Sequence, residues 1–237
     1  MSPSPKRLKK SDMSTPWMRE RLDRKVVTIQ PERHLIVCEG EKTEPNYFDG
    51  LKREINAKYP REKIRLEIKG EGKNTLSLLE QAETYVKREQ IKRISNVPNH
   101  VWLVYDKDSF DDDDFDNAKQ RCDSLTHQGE VEYHALWSNQ CIELWFLLHF
   151  GYYQADLHRS GYSPKLNRHL AAIGAGKYAK NRDDIYSILR PYLPDATRNA
   201  RALKEKHNSP VPSKNAPGTS VFEIFEFLSD YLDDPKP

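Results

Sequence analysis

The chain has 237 residues, 37% hydrophobic and 31% charged, which allows one large domain, with or without an extension, under a very polar surface. Its net charge of +2 is uneven: residues 1–33 hold nine Lys and Arg against four acids, a balance of +5 that leaves −3 on the remainder. The three cysteines, Cys38, Cys122 and Cys141, form no Cys-x-x-Cys pair, and no apolar run nears the roughly 18 residues of a membrane span, so the reading excludes a disulfide framework, a zinc site and a membrane protein and expects a soluble cytoplasmic one.

Residues 1–33 lack apolar periodicity and are expected to form a disordered tail. Lys6, Arg7, Lys9 and Lys10 within it suit a nucleic-acid backbone; they equally suit a solvated tail that keeps the protein soluble. Residues 34–38 read as a first strand. Thr43 then serves as N-cap of a helix to about Lys58, with Glu44 and Pro45 in its first turn and Tyr47, Phe48, Leu51 and Ile55 on its apolar face. Residues 64–69 read as a second strand and 70–74 as a flexible loop. A helix follows from Thr75, with Leu76, Leu79, Ala82 and Val86 at helical spacing. Residues 100–105 make a third strand. An acidic run, 111–114, precedes a helix over 115–128. Residues 131–137 make a fourth strand and 139–150 an apolar helix. This alternation predicts a mostly parallel α/β sheet. Beyond Phe150 the strand signals fade. Helices are expected over 166–173, 182–190 and 196–206, then a proline-rich loop over 208–218 and a last helix capped by Thr219 or Ser220.

Two strand-like runs end in carboxylates. Residues 34–38 lead into Glu39-Gly40-Glu41, and residues 101–105 lead into Asp106-Lys107-Asp108. In open α/β sheets ligands sit outside the carboxyl ends of the strands. Three carboxylates in one crevice repel one another unless a hard cation neutralises them, and Mg²⁺ or Mn²⁺ suits an all-oxygen set. Each residue also has a plain reading: Glu39 as an exposed turn residue, the Asp pair as an ordinary acidic turn. Glu143 lies among Ile142, Leu144, Trp145 and Phe146, where a charge needs a partner or a metal, unless it occupies the polar stripe of its helix. Lys177, Tyr178 and Lys180 could grip a nucleic-acid backbone or simply begin a surface helix. The 70–74 loop lacks the Gly-Lys-Ser/Thr of a P-loop.

At these residues the chain resembles the RloB-like family. The stretch Ile36-Val37-Cys38-Glu39-Gly40-Glu41-Lys42-Thr43-Glu44-Pro45-Asn46-Tyr47-Phe48 is similar to the family's opening motif. Val104-Tyr105-Asp106-Lys107-Asp108 and the run from Ser138 to Phe150 resemble the next two, and Asn215-Ala216-Pro217-Gly218-Thr219 resembles a C-terminal one. The family is similar to Toprim domains. That resemblance implies a Toprim-like fold with Glu39, Asp106 and Asp108 as the Mg²⁺ site. It further implies an anti-phage nuclease or toxin subunit controlled by an AAA- or ABC-type ATPase encoded nearby. Ser109-Phe110 follows the Asp pair without the Gly common in Toprim enzymes, and Asn139-Gln140 stands where the family is expected to carry Asn-Pro.

The combined expectation is a tail over 1–33, a Toprim-like catalytic core over 34–150 and a helical C-terminal extension over 151–237. The core hydrolyses phosphodiesters in DNA or RNA, tRNA included. Glu39 acts as base or ligand, Asp106 and Asp108 as ligands, Glu143 as ligand or orienting group, and Lys42 stabilises the charged phosphoryl group. The competing expectation is a catalytically silent module that docks on the ATPase. A homo-oligomer is left open.

Overall fold

The structure, a computed structural model, describes residues 31–92, 96–108 and 111–233. Lys6, Arg7, Lys9 and Lys10 lie outside the described residues. Four strands run parallel: β1 (Glu32–Cys38), β2 (Ile64–Gly70), β3 (His100–Asp106) and β4 (Glu132–Asn139). A two-residue strand, β5 (Gly218–Thr219), pairs antiparallel with the end of β4 and completes the order β2-β1-β3-β4-β5. The sequence reading placed Gly218 in a loop, because two residues are too few to show a period.

The sheet is covered on both faces, and the alternation of side chains along each strand explains how. Ile36, Cys38, Trp102, Val104 and Leu136 face one apolar layer. Leu35, Val37, Val101, Leu103 and Tyr105 face the other. Helices α1 (Thr43–Lys58), α2 (Thr75–Ile91) and α3 (Asp112–Gln128) alternate with the strands. After β4 come α4 (Glu143–Leu148), α5 (Tyr162–Ala172), α6 (Ile185–Leu189), α7 (Leu193–His207), α8 (Phe222–Phe227) and α9 (Ser229–Leu232). The second layer is built on α2 and α3. The first joins α1 and α4 to Leu166, Leu189, Leu203, Ile224 and Leu228, so the C-terminal segment is built into the core beside the sheet. The described residues from 31 to 233 accordingly make up one compact unit.

Three local readings change. The apolar helix expected over 139–150 shortens to α4, because Asn139 still belongs to β4. Helix α3 begins inside the acidic run, placing Asp112, Asp113 and Asp114 in its first turn, where negative charge meets the positive end of the helix dipole. Thr43 is the first helical residue of α1 rather than its cap. Its hydroxyl donates to the Lys180 carbonyl at 3.0 Å and ties this helix start to the 180 loop. Among the described residues no helix is long and apolar enough to cross a membrane.

Candidate active site

Strands β1, β3 and β4 end side by side, so the residues after them share one crevice. Glu39 extends β1, its amide donating to the Val104 carbonyl at 2.9 Å. Its carboxylate reaches across to β3 and accepts from the Asp106 amide at 3.0 Å. Asp106 closes β3. Its Oδ2 accepts from the Ile142 amide at 3.1 Å, in the turn before α4. Its Oδ1 is buried with no hydrogen-bond partner. Asp108 adopts a left-handed backbone, φ 42°, and its carboxylate pairs with Arg159 at 2.7 Å. Glu143 opens α4, is only 4% exposed and accepts from the Tyr178 hydroxyl at 2.9 Å. Glu44, in the first turn of α1, is 6% exposed. These five carboxylates, with Lys42, Arg159 and Lys180, line one cavity of about 580 Å³.

Gly40 has a steric role here. A Cβ at this position would lie 2.2 Å from Glu44 Oε2, so the glycine makes room for the buried carboxylate. Gly70 does the same for backbone: its Cβ would lie 2.8 Å from the Gly40 carbonyl oxygen, so the end of β2 packs tightly under the same loop.

The electrostatics are those of an anionic hole. Burial raises Glu39 to about 7 against the pull of the Asp106 amide, and Asp108 and Glu44 add repulsion. Glu44 is raised to about 6 by burial, with Glu143 repelling it. Asp106 is pushed well above the ordinary carboxylate range, first by burial and then by Glu44, Glu143, Glu39 and Asp108. Asp108 also rises on burial, although Arg159 and Lys180 oppose the shift. A cation relieves all of these costs together. The donors are oxygens, and the unpartnered Asp106 Oδ1 offers a ligand atom. The residues therefore fit a hard divalent ion such as Mg²⁺ or Mn²⁺.

The expected metal residues Glu39, Asp106 and Asp108 do share this cavity. They are not drawn into one tight cluster, however. Among the described residues the one group of three with all ligand atoms within 4.8 Å of one another is His100, Glu132 and His134. Lys42 lies at the exposed rim and Lys180 faces the cavity, whereas Lys177 does not line it. The acidic run instead lines a separate surface hollow with Lys107.

Sequence reasoning missed Glu44, Arg159 and His158. Glu44 read as a first-turn acid favoured by the helix dipole. Arg159 and His158 come from a short 3₁₀ turn just before α5 that carries no periodic signal. The Glu at 44, buried beside Pro45, Tyr47 and Phe48, was the one available hint. A second groove, also missed, follows β2 at the sheet edge and is lined by Lys52, Arg61, Arg65, Lys69, Arg88 and Lys92. Glu67 and Glu89 partly offset it through pairs with Lys69 at 2.8 Å and Lys92 at 2.6 Å.

The architecture is that of a Rossmann-like α/β protein with an acidic crevice at the carboxyl ends of its parallel strands. Within that class, the chain belongs to the RloB-like protein family, whose model matches residues 34–228. No curated protein and no solved structure matches it.

Proposed function

We propose that the chain is a divalent-metal-dependent nuclease, the effector subunit of an ATPase-partnered anti-phage system acting in the cytoplasm. The observation that carries this reading is the buried Asp106 carboxylate. One of its oxygens lacks a partner, and it is surrounded by four further carboxylates with Lys42, Lys180 and Arg159 at the rim. A glutamate after β1 and an Asp-x-Asp after β3 are also what the resemblance to Toprim domains calls for.

Asp106 and Asp108 would hold the ion, with Glu39 or Glu143 completing its oxygen shell. A bound Mg²⁺ or Mn²⁺ supplies charge neutralisation and polarises the scissile phosphate. The chain's own groups do the rest. Glu39 takes a proton from water as the water oxygen bonds to phosphorus. The bridging phosphorus–oxygen bond breaks, and the departing oxygen takes a proton from solvent. Lys42, Lys180 and Arg159 neutralise the charge that develops on the phosphoryl oxygens. The Tyr178 hydroxyl holds Glu143 in place. The cationic groove along β2 supports a polyanionic substrate.

The Arg159–Asp108 pair favours a second reading. An arginine already bound to a would-be ligand suits a catalytically silent module that docks on the ATPase. Purified full-length protein, with and without the neighbouring ATPase, is incubated with DNA, RNA and tRNA in Mg²⁺. Cleavage that disappears in Asp106→Asn and Glu39→Gln supports the nuclease. An Asp106→Asn protein that cleaves equally well overturns it. A variant that cuts nothing yet keeps full anti-phage activity establishes the silent module.

A further inference from the structure

We propose a second metal site, for zinc, at the amino-terminal end of the sheet, formed by His100, Glu132 and His134. His100 and Glu132 are register partners on the adjacent parallel strands β3 and β4. His134 lies two residues beyond Glu132 and therefore on the same face. His100 Nδ1 lies 3.1 Å from His134 Nε2 and 3.4 Å from Glu132 Oε2, and His134 Nε2 lies 3.8 Å from that same oxygen. A tetrahedral zinc ion with bonds of about 2.0–2.1 Å holds its ligand atoms about 3.3 Å apart. The observed triangle brackets that edge.

The atoms also present the right chemistry. Two imidazole nitrogens and a carboxylate oxygen face one another across these distances. Two imidazoles and one carboxylate select a borderline transition ion over Mg²⁺. Around them stands a supporting shell. Glu32 Oε1 lies 3.9 Å from His100 Nε2, on the far side of that ring, and Glu32 is itself fixed by His34 at 3.1 Å and by the Tyr231 hydroxyl at 2.7 Å. Trp102 stacks on His134 with ring centroids 3.9 Å apart, and Phe227 packs edge-on against His100. The acidic crevice lies at the opposite end of β3, about 20 Å away at 3.3 Å per residue. The two sites are therefore independent, and zinc here staples β3 to β4. A fourth position remains for water. The sequence reading dismissed zinc because it looked for paired cysteines; these ligands sit on different strands.

The test uses the full chain, stripped with EDTA and titrated with Zn²⁺, with bound metal measured by elemental analysis after desalting. The expected result is about one zinc per chain in the native protein and in Asp106→Asn, and strong loss in His134→Gln and Glu132→Gln. Co²⁺ added to the native protein should give the visible absorption of a four-coordinate ion and quench Trp102 emission, a quench absent in Trp102→Phe. That arm needs no ligand variant to fold. Native protein that retains no zinc, or zinc retained equally by His134→Gln, overturns the proposal. Zinc lost only in Asp106→Asn also overturns it, by placing the ion in the acidic crevice.

Discussion

Replacing Asp106 by Asn should make the metal-free protein more stable while abolishing its response to Mg²⁺. The Asp106 carboxylate is buried, its Oδ2 held by the Ile142 amide and its Oδ1 left without a partner. An asparagine keeps the accepting oxygen for Ile142 and turns an NH₂ donor toward the surrounding carboxylates. It thus removes a buried acceptor with no donor, a defect of about 1–3 kcal/mol, and it removes the repulsion from Glu44, Glu143, Glu39 and Asp108. A gain of roughly 1–3 kcal/mol in EDTA corresponds to a rise in Tm of roughly 2–12 °C for a chain of this size. Metal reverses the order. At 100 times its Kd, Mg²⁺ stabilises the native protein by about 2.7 kcal/mol, while the variant has lost a central ligand and gains little. Thermal melts of both proteins in EDTA and across a Mg²⁺ series read the crossing directly. Two results refute the reasoning: a variant at least about 1 kcal/mol less stable than native in EDTA, or equal Mg²⁺ shifts in the two proteins.

Arg159→Ala should raise Mg²⁺ affinity, because it frees Asp108 from a 2.7 Å ion pair, while weakening nucleic-acid binding; calorimetry and filter binding measure the two separately. Charge reversal of Arg61, Arg65 and Arg88 along β2 should reduce affinity for nucleic acid of any sequence and flatten its salt dependence by roughly 0.7–0.9 for each phosphate no longer neutralised. Deleting residues 1–30 should flatten it likewise; unchanged affinity and slope in that deletion would leave the tail a solubilising or partner-docking segment. Acid should unfold the protein partly through Glu54. Burial raises its pKa, yet Arg190 at 2.7 Å, Tyr186 and Lys58 outweigh burial and hold the group low. A lowered folded pKa gives stability that is present above the unfolded value of about 4.3 and lost as pH falls below it. Urea melts of Glu54→Gln should therefore show a deficit at pH 7 that shrinks below about pH 4; a deficit that persists at pH 3 contradicts this.

The parallel strands were legible in two ways: 34–38, 100–105 and 131–137 read as short apolar runs, and 64–69 alternates buried Ile64 and Leu66 with exposed Arg65 and Glu67 at the sheet edge; all four fall within two residues of a strand end in the fold. Their acidic ends were legible for the same reason, since a carboxylate directly after such a run has to sit at the sheet's rim. Glu143 stood out as a charge among large apolar neighbours and is indeed buried. What stayed hidden depends on long-range contact. Arg159 meets Asp108 only because the turn before α5 folds back over the crevice. Glu44 carried an ordinary local explanation that concealed its burial against Gly40. His100 and His134 are 34 residues apart and meet through strand register, which composition does not encode.

The two residues of β5 bear on how the protein is made. They emerge late in synthesis, after all six carboxylates lining the crevice have been translated, yet they finish the β4 edge. The Trp137 amide donates to Ser220 Oγ at 2.9 Å, Thr219 Oγ1 donates to the Trp137 carbonyl at 3.0 Å, and Gly218 sits opposite Asn139, three residues before the Ile142 amide that holds Asp106. Val221, Phe222, Ile224, Phe225 and Leu228 then fill the layer behind. A chain released early from a broken message or a stalled ribosome thus carries every acidic side chain of the crevice without the frame that aligns them. For the nuclease proposed above, products truncated before this closing segment are expected to be inert.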